Sequence, residues 1–305
     1  MPTTHDLMVI GAGITGLSAA RRALQNGLST ATIESQFFGG LVININELDG
    51  EHAGSGSELA ANMMMEIADL GAENITAVAA GIERDGDALM VKSDESIHRA
   101  RAVIIASGAR LKRLGVPGEA ELTDMGVSQC ADCDGPMYKN KDVVVVGGGD
   151  SAVQEAIVLA GYTRHVHVVH RGLKFSARQH LVDRLAGHAN VTIHWKTRVE
   201  AVLGAKGVEG VHLRALDDQG SDAAPREIPC AGFFAYVGLV PVCEFVPPAV
   251  MRDAGGFLLT AAGLVTAMPG VFAAGAVRSG YGGLLTHAVA EGIAAANSVG
   301  ALLRD

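Results

Sequence analysis

The chain has 305 residues, of which 49% are hydrophobic and 4% aromatic, enough for two domains that each bury a core of their own. Its net charge of -9, with no long basic run, argues against nucleic acid and anionic membranes as main partners. No apolar stretch of about twenty residues is free of breakers, and the first glycine turn begins at Gly11 behind His5 and Asp6, which leaves no room for a signal peptide. A cytoplasmic protein is therefore expected, and four cysteines are too few for a disulfide scaffold.

From Asp6 the pattern runs strand, glycine turn Gly11-x-Gly13-x-x-Gly16, helix Leu17 to Asn26, and strand Ser29 to Ile33 ending at Glu34. This is a βαβ unit, and Glu34 lies close to the spacing at which an acid grips a ribose hydroxyl. Met63-Met64-Met65 falls in a helical stretch and reads as core filling. Val103 to Ser107 is a buried strand closed by Gly108, and Leu114 to Gly118 reads as a crossing linker. A second βαβ unit starts at Asp142, with the turn Gly147-x-Gly149-x-x-Ala152, a helix over Ala152 to Ala160 and a strand His165 to Val169 ending at His170-Arg171. Phe233 to Gly238 is an apolar strand leading to Pro241, and Gly270 to Gly275 is a last strand and glycine before an alanine-rich helix after Leu284. The expected fold is α/β, with two Rossmann-like three-layer nucleotide-binding domains, the second inserted into the first. The first domain takes residues 1–112 and 241–305, and the second takes residues 113–240.

Two such turns bracket Cys130-Ala131-Asp132-Cys133. Glycines there let backbone N–H groups at a helix N-terminus approach a pyrophosphate. Cysteines at this spacing near a helix start close a small disulfide, often with one thiol pKa lowered, and Asp134 stands ready to exchange a proton. The alternative is a zinc half-site, but Cys230 and Cys243 do not form a second Cys-x-x-Cys; in apolar surroundings they read as buried small hydrophobes. His165 and His167 share a strand face, which reads as a solvent-exposed strand end before it reads as a metal cluster. His287 either meets a bound cofactor or caps packing. No metal site is expected.

The ordered motifs Gly11-Ala12-Gly13-Ile14-Thr15-Gly16, Gly39-Gly40, Ala106-Ser107-Gly108-Ala109, Cys130-Ala131-Asp132-Cys133-Asp134-Gly135, Gly147-Gly148-Gly149-Asp150-Ser151-Ala152, His170-Arg171 and Gly270-Val271-Phe272-Ala273-Ala274-Gly275 resemble those of the low-molecular-weight thioredoxin reductase family over essentially the whole chain. The resemblance implies a homodimer that binds FAD and a nicotinamide nucleotide and reduces a thioredoxin-like protein or a small disulfide. It implies catalytic roles for Cys130, which attacks the partner, Cys133, which faces the flavin, and Asp134, the acid. Flavin contacts are implied at Gly11, Gly13, Ile14, Thr15, Gly16, Glu34, Gly39, Gly40, Asn46, Gly108, Gly275, Ala276, Gly283 and Leu284. Contacts to the second nucleotide are implied at Gly147, Gly149, Asp150, Ser151, His170 and Arg171.

The chain also departs from the family pattern. Gly172 and Ser176 stand where two phosphate-gripping arginines are expected, which leaves Lys174 or Arg178 to replace them and NADPH or NADH open as donor. Around the flavin, Leu41, Ala276 and Gly282-Gly283 replace polar residues. A dithiol oxidase, in which electrons enter at Cys130–Cys133, is the alternative enzyme, and a redox-sensing binding protein is the non-enzymatic one.

Overall fold

In β1 (Thr4–Ile10), Leu7, Met8, Val9 and Ile10 are buried without alternation, as in a central parallel strand covered on both faces. The computed structural model describes residues 4–45, 48, 54–94, 96–216 and 225–304; Asn46 lies outside them. The chain divides into two compact units, Met1–Arg110 with Val240–Asp305, and Leu111–Leu239.

In the first unit β1 leads into α1 (Ile14–Gln25) and pairs in parallel with β2 (Thr30–Glu34). The helix starts at Ile14, before the expected Leu17, because the glycine turn supplies its first turn. Then follow α2 (Gly56–Asp69), opened by a capping box between Ser55 and Glu58, β3 (Glu73–Thr76), the hairpin β4 (Ala79–Asp85) and β5 (Ala88–Ser93), β6 (Ile97–Ile105) and short β7 (Ala109–Leu111). On α2 the methionines diverge from the core reading: Met63 is buried, but Met65 is 59% exposed, since adjacent helical residues point in different directions.

The second unit contains β8 (Val127–Ser128), α3 (Ala131–Asp134), β9 (Asp142–Gly147), α4 (Asp150–Tyr162), β10 (His165–Val169), α5 (Gln179–Ala186), β11 (Val191–His194), β12 (Thr197–Leu203), β13 (Gly210–Ala215), β14 (Arg226–Pro229) and β15 (Gly232–Tyr236). Its parallel sheet has the order β11-β10-β9-β15-β8, and β12-β13-β14 form a separate antiparallel sheet. Val143 and Val145 of β9 join the core formed by Val153 and Ile157 of α4 and Leu181 of α5. Val144 and Val146 join Val199, Val211 and Leu213 of the antiparallel sheet. Three layers result, and the run of four valines in β9 is explained by burial on both faces.

The chain returns to the first unit through β16 (Leu239–Pro241), adds β17 (Val271–Ala273) alongside β6, and ends in α6 (Leu285–Leu302). The first unit's sheet has the order β3-β2-β1-β6-β5-β4. Leu7, Val9 and Ile104 join the core formed with Leu17 of α1 and Ala295 and Val299 of α6. Met8, Ile10 and Ile105 join Ile82, Val91, Val246 and Val250 on the other face.

Candidate functional site

In the first unit, Gly11 has φ +103°, and a Cβ there would lie 2.4 Å from the Ala106 carbonyl oxygen, so the turn after β1 requires glycine. Gly13 is the extended N-cap of α1 and brings no side-chain cap, which leaves the helix's first N–H groups to a ligand. The Gly39 N–H donates to the Ala12 carbonyl at 2.7 Å, bringing Gly39 and Gly40 against this turn. Glu34 is fixed at the end of β2. Its Oε2 accepts the Ala12 N–H at 2.9 Å, and its Oε1 accepts the N–H groups of Ser35 at 2.8 Å and Gln36 at 3.1 Å. A carboxylate has about four acceptor positions, so one remains for a ribose hydroxyl.

Gly275 packs against Thr15 of the same turn. Its N–H donates to Glu291 Oε2 at 2.7 Å, and that carboxylate is held by Arg278 through Nε at 2.8 Å. Glu291, on the last helix, was not legible in the sequence; its signal is an acid inside an otherwise apolar, alanine-rich helix. Ala276 follows Gly275 in a short 3-10 turn, and Leu284 is the N-cap of α6 without a side-chain bond. His287 is exposed and lies over Gly282, where a Cβ would meet its ring. Gly108 has φ +70° and accepts the Val242 N–H at 3.0 Å. The uncapped helix start, the glycine cradle and the anchored Glu34 fit the dinucleotide FAD.

In the second unit, Gly147 has φ +147°, and a Cβ there would meet the Tyr236 carbonyl and Ala152, so this turn also requires glycine. Gly149 is the extended N-cap of α4, again without a side-chain cap. A cavity of about 560 Å³ opens over the turn, lined among others by Gly149, His170, Arg171, Ser176 and Arg198. Ser151 sits in the first turn of α4. His170 bonds the Gly147 carbonyl through Nδ1 at 3.1 Å and the Lys174 carbonyl through Nε2 at 3.0 Å. Asp150 accepts the Arg178 N–H at 2.7 Å and its Nε at 2.6 Å. This contact ties Arg178 to the loop itself. Lys174 is not among the residues lining the cavity.

Cys130 and Cys133 form a disulfide with Cα atoms 5.3 Å apart. Cys130 is the N-cap of α3, and its Sγ accepts the Cys133 N–H at 3.1 Å. A second cavity of about 290 Å³, which shares Lys112 and Arg113 with the first, is lined by Cys130, Asp134 and Ser128, but not by Cys133. Behind α3, Glu155 Oε2 accepts the Ala131 N–H at 2.9 Å and the Tyr236 hydroxyl at 3.2 Å. Burial pushes the Glu155 carboxyl up and the Tyr236 hydroxyl up. Neither residue was marked from the sequence, although an acid among Val153, Ala156 and Ile157 on α4 is a readable signal.

Cys230 and Cys243 are free and buried, and burial pushes the Cys230 thiol up to about 12. His167 Nδ1 lies 3.1 Å from His194 Nε2, and Arg226 lies 2.6 Å from His194 Nδ1, so these imidazoles form a hydrogen-bonded row more enclosed than an exposed strand end. Among the described residues no group of three or more His, Cys, Asp or Glu is arranged to hold a metal, and no helix is long and apolar enough to cross a membrane.

Residues 5–292 match the family model for pyridine nucleotide-disulphide oxidoreductases. The thioredoxin reductase of Treponema pallidum is 34% identical over 98% of this chain and 97% of its own length. The crystal structure of Lactococcus lactis thioredoxin reductase superimposes with a TM-score of 0.91 at 32% identity, covering 97% of each chain. That of T. acidophilum thioredoxin reductase gives 0.91 at 30% identity, covering 99% of each. With both glycine cradles and the dithiol in one chain, the protein belongs to the pyridine nucleotide-disulphide oxidoreductases, within their low-molecular-weight thioredoxin reductase family, and is an FAD-dependent disulfide oxidoreductase.

Proposed function

We propose that the protein carries electrons from a nicotinamide nucleotide, through FAD, to the disulfide of a thioredoxin-like protein, working as a cytoplasmic homodimer. The first unit holds FAD at the turn of Gly11 to Gly16 with Glu34, and the second holds the nicotinamide nucleotide at the turn of Gly147 to Gly149. Bound FAD supplies hydride acceptance from the nicotinamide and two-electron reduction of the Cys130–Cys133 disulfide.

The observation that carries this reading is the asymmetry of the pair: Cys130 and Asp134 line a cavity that Cys133 does not. Cys130 is therefore assigned the attack on the partner. Its thiolate forms a mixed disulfide with one partner sulfur and expels the other, which Asp134 protonates. Cys133 then attacks Cys130 Sγ, which re-forms the internal disulfide and releases the second partner thiol. Over the cycle the nucleotide loses a hydride, and the partner disulfide gains two electrons and two protons.

The test is an anaerobic titration of the purified holoenzyme with NADPH and with NADH, read by flavin absorbance, followed by addition of an oxidised thioredoxin. Flavin bleaching and its reversal by thioredoxin are expected, with Cys130→Ser retaining the first and losing the second. A reduced wild-type flavin that no thioredoxin disulfide reoxidises would sink the proposal.

A further inference from the structure

We propose that Glu155, on α4, is a positioning residue for the dithiol, which through the Ala131 N–H sets the ionisation of the Cys130 thiol. The proposal rests on the reading above that Cys130 is the attacking sulfur, and it adds what governs how readily that sulfur becomes a thiolate.

Helix α3 has only four residues, and Cys130 is its N-cap. The N–H groups of its first turn therefore have no carbonyl of the helix to take them. A Cys130 thiolate, formed when the disulfide is reduced, gains from whichever of them turn toward it. The Cys133 N–H already meets Sγ at 3.1 Å. The Ala131 N–H, next to Cys130 in the chain, is directed at Glu155 Oε2 at 2.9 Å. One peptide N–H thus stands between the cysteine and an acid. When ionised, that acid draws on the N–H and repels a thiolate; when protonated, it does neither to the same degree.

An acid is not needed merely to fix α3. Ala131 is fully buried, and a neutral amide on α4 would accept its N–H without the cost of burying a carboxylate. Glu155 stays ionisable because its two donors, the Ala131 N–H and the Tyr236 hydroxyl at 3.2 Å, meet on one oxygen. Burial and the Asp132 charge work against the charged form, while those two bonds support it. The charged groups that line the cavity beside Cys130 are Lys112, Arg113, Glu119, Asp124 and Asp134. They act on the thiol alike whether or not Glu155 carries charge, so replacing Glu155 alone isolates its part.

The test uses the holoenzyme with Cys133→Ser, which keeps Cys130 as the only thiol of the pair. Its alkylation by iodoacetamide is followed from pH 5 to pH 10 by peptide mass, in this background and with Glu155→Gln or Tyr236→Phe added. Glu155→Gln keeps an acceptor for the Ala131 N–H, so a bond that served only to hold α3 would leave the pH profile in place. The midpoint for Cys130 is expected to fall by about one pH unit in Glu155→Gln. Tyr236→Phe removes a donor that favours the carboxylate, so a smaller fall is expected there. A midpoint that stays or rises in Glu155→Gln would overturn the proposal, and if that variant does not fold, an unmoved midpoint in Tyr236→Phe would do so. Alkylation needs neither nucleotide nor thioredoxin. A lowered midpoint together with thioredoxin reduction that survives Cys130→Ser would uphold the Glu155 contact and remove the reading of Cys130 as the attacking sulfur.

Discussion

Glu155 on α4 accepts the backbone N–H of Ala131 at 2.9 Å, so the helix after the second glycine turn grips the first residue of the cysteine helix. Burial raises the carboxyl's pKa. Between the ordinary carboxylate pKa and the raised one, the folded state keeps a proton that the unfolded state has lost, and stability falls as pH rises through this window. Glu155→Gln keeps an acceptor for Ala131 and removes the buried charge. It should gain on the order of 1 kcal/mol over the wild type at pH 8 and little at pH 4. Urea unfolding at the two pH values checks this, and an unchanged pH slope would contradict it.

The cysteines divide by environment. Cys230 and Cys243 are buried, and burial raises both thiols, which makes them poor nucleophiles at neutral pH. After reduction of the native protein, iodoacetamide at pH 7.5 should add to Cys130 and Cys133 alone. After denaturation it should add to all four cysteines. Intact mass and peptide mapping read the result, and rapid native alkylation of Cys230 would show that the link between β14 and β15 opens.

His194 shifts the acid side of the stability profile. Burial, and then the Arg226 guanidinium, lower its pKa to about 4. Between about 6.5 and 4 the unfolded state binds a proton that the folded state refuses, so stability is lost as pH falls through that range. His194→Gln should flatten the acid limb by on the order of 1–2 kcal/mol, discounted for solvent screening at a half-buried site. Thermal unfolding at pH 7 and pH 4.5 measures it, and an identical Tm difference in both proteins would remove His194 as the cause.

Arg178 ties its loop to Asp150 through one backbone and one side-chain bond. Arg178→Ala removes only the partly exposed side-chain pair, worth about 1 kcal/mol or less. Affinity for NADH and NADPH should therefore fall alike, by about fivefold at most. A loss confined to NADPH would instead give Arg178 a direct contact with the 2′-phosphate.

Both glycine turns were legible because each combines a buried strand, fixed glycine spacing and a helix within a short stretch of chain. The strand His165 to Val169 matches β10 residue for residue, since valines buried on both faces leave little ambiguity. Helix starts were read late, at Leu17 and Ala152, because the glycines that disfavour a helix interior here form the N-cap and first turn. Glu155 and Glu291 escaped the reading for another reason. Each acts on a group far away in sequence, and a single charged residue on an element carries no local mark of its partner. At Arg178 the charge was visible, but its engagement with Asp150 was not.

The inward turn of Ser176 makes the loss of the family arginines hard to undo. An arginine at 176 gives up the hydroxyl bond to Gly148, and any side chain at 172 starts with a Cβ 2.8 Å from the His170 ring. Each reversion taken singly disturbs the loop before it restores a phosphate contact. Such epistasis entrenches the substituted loop.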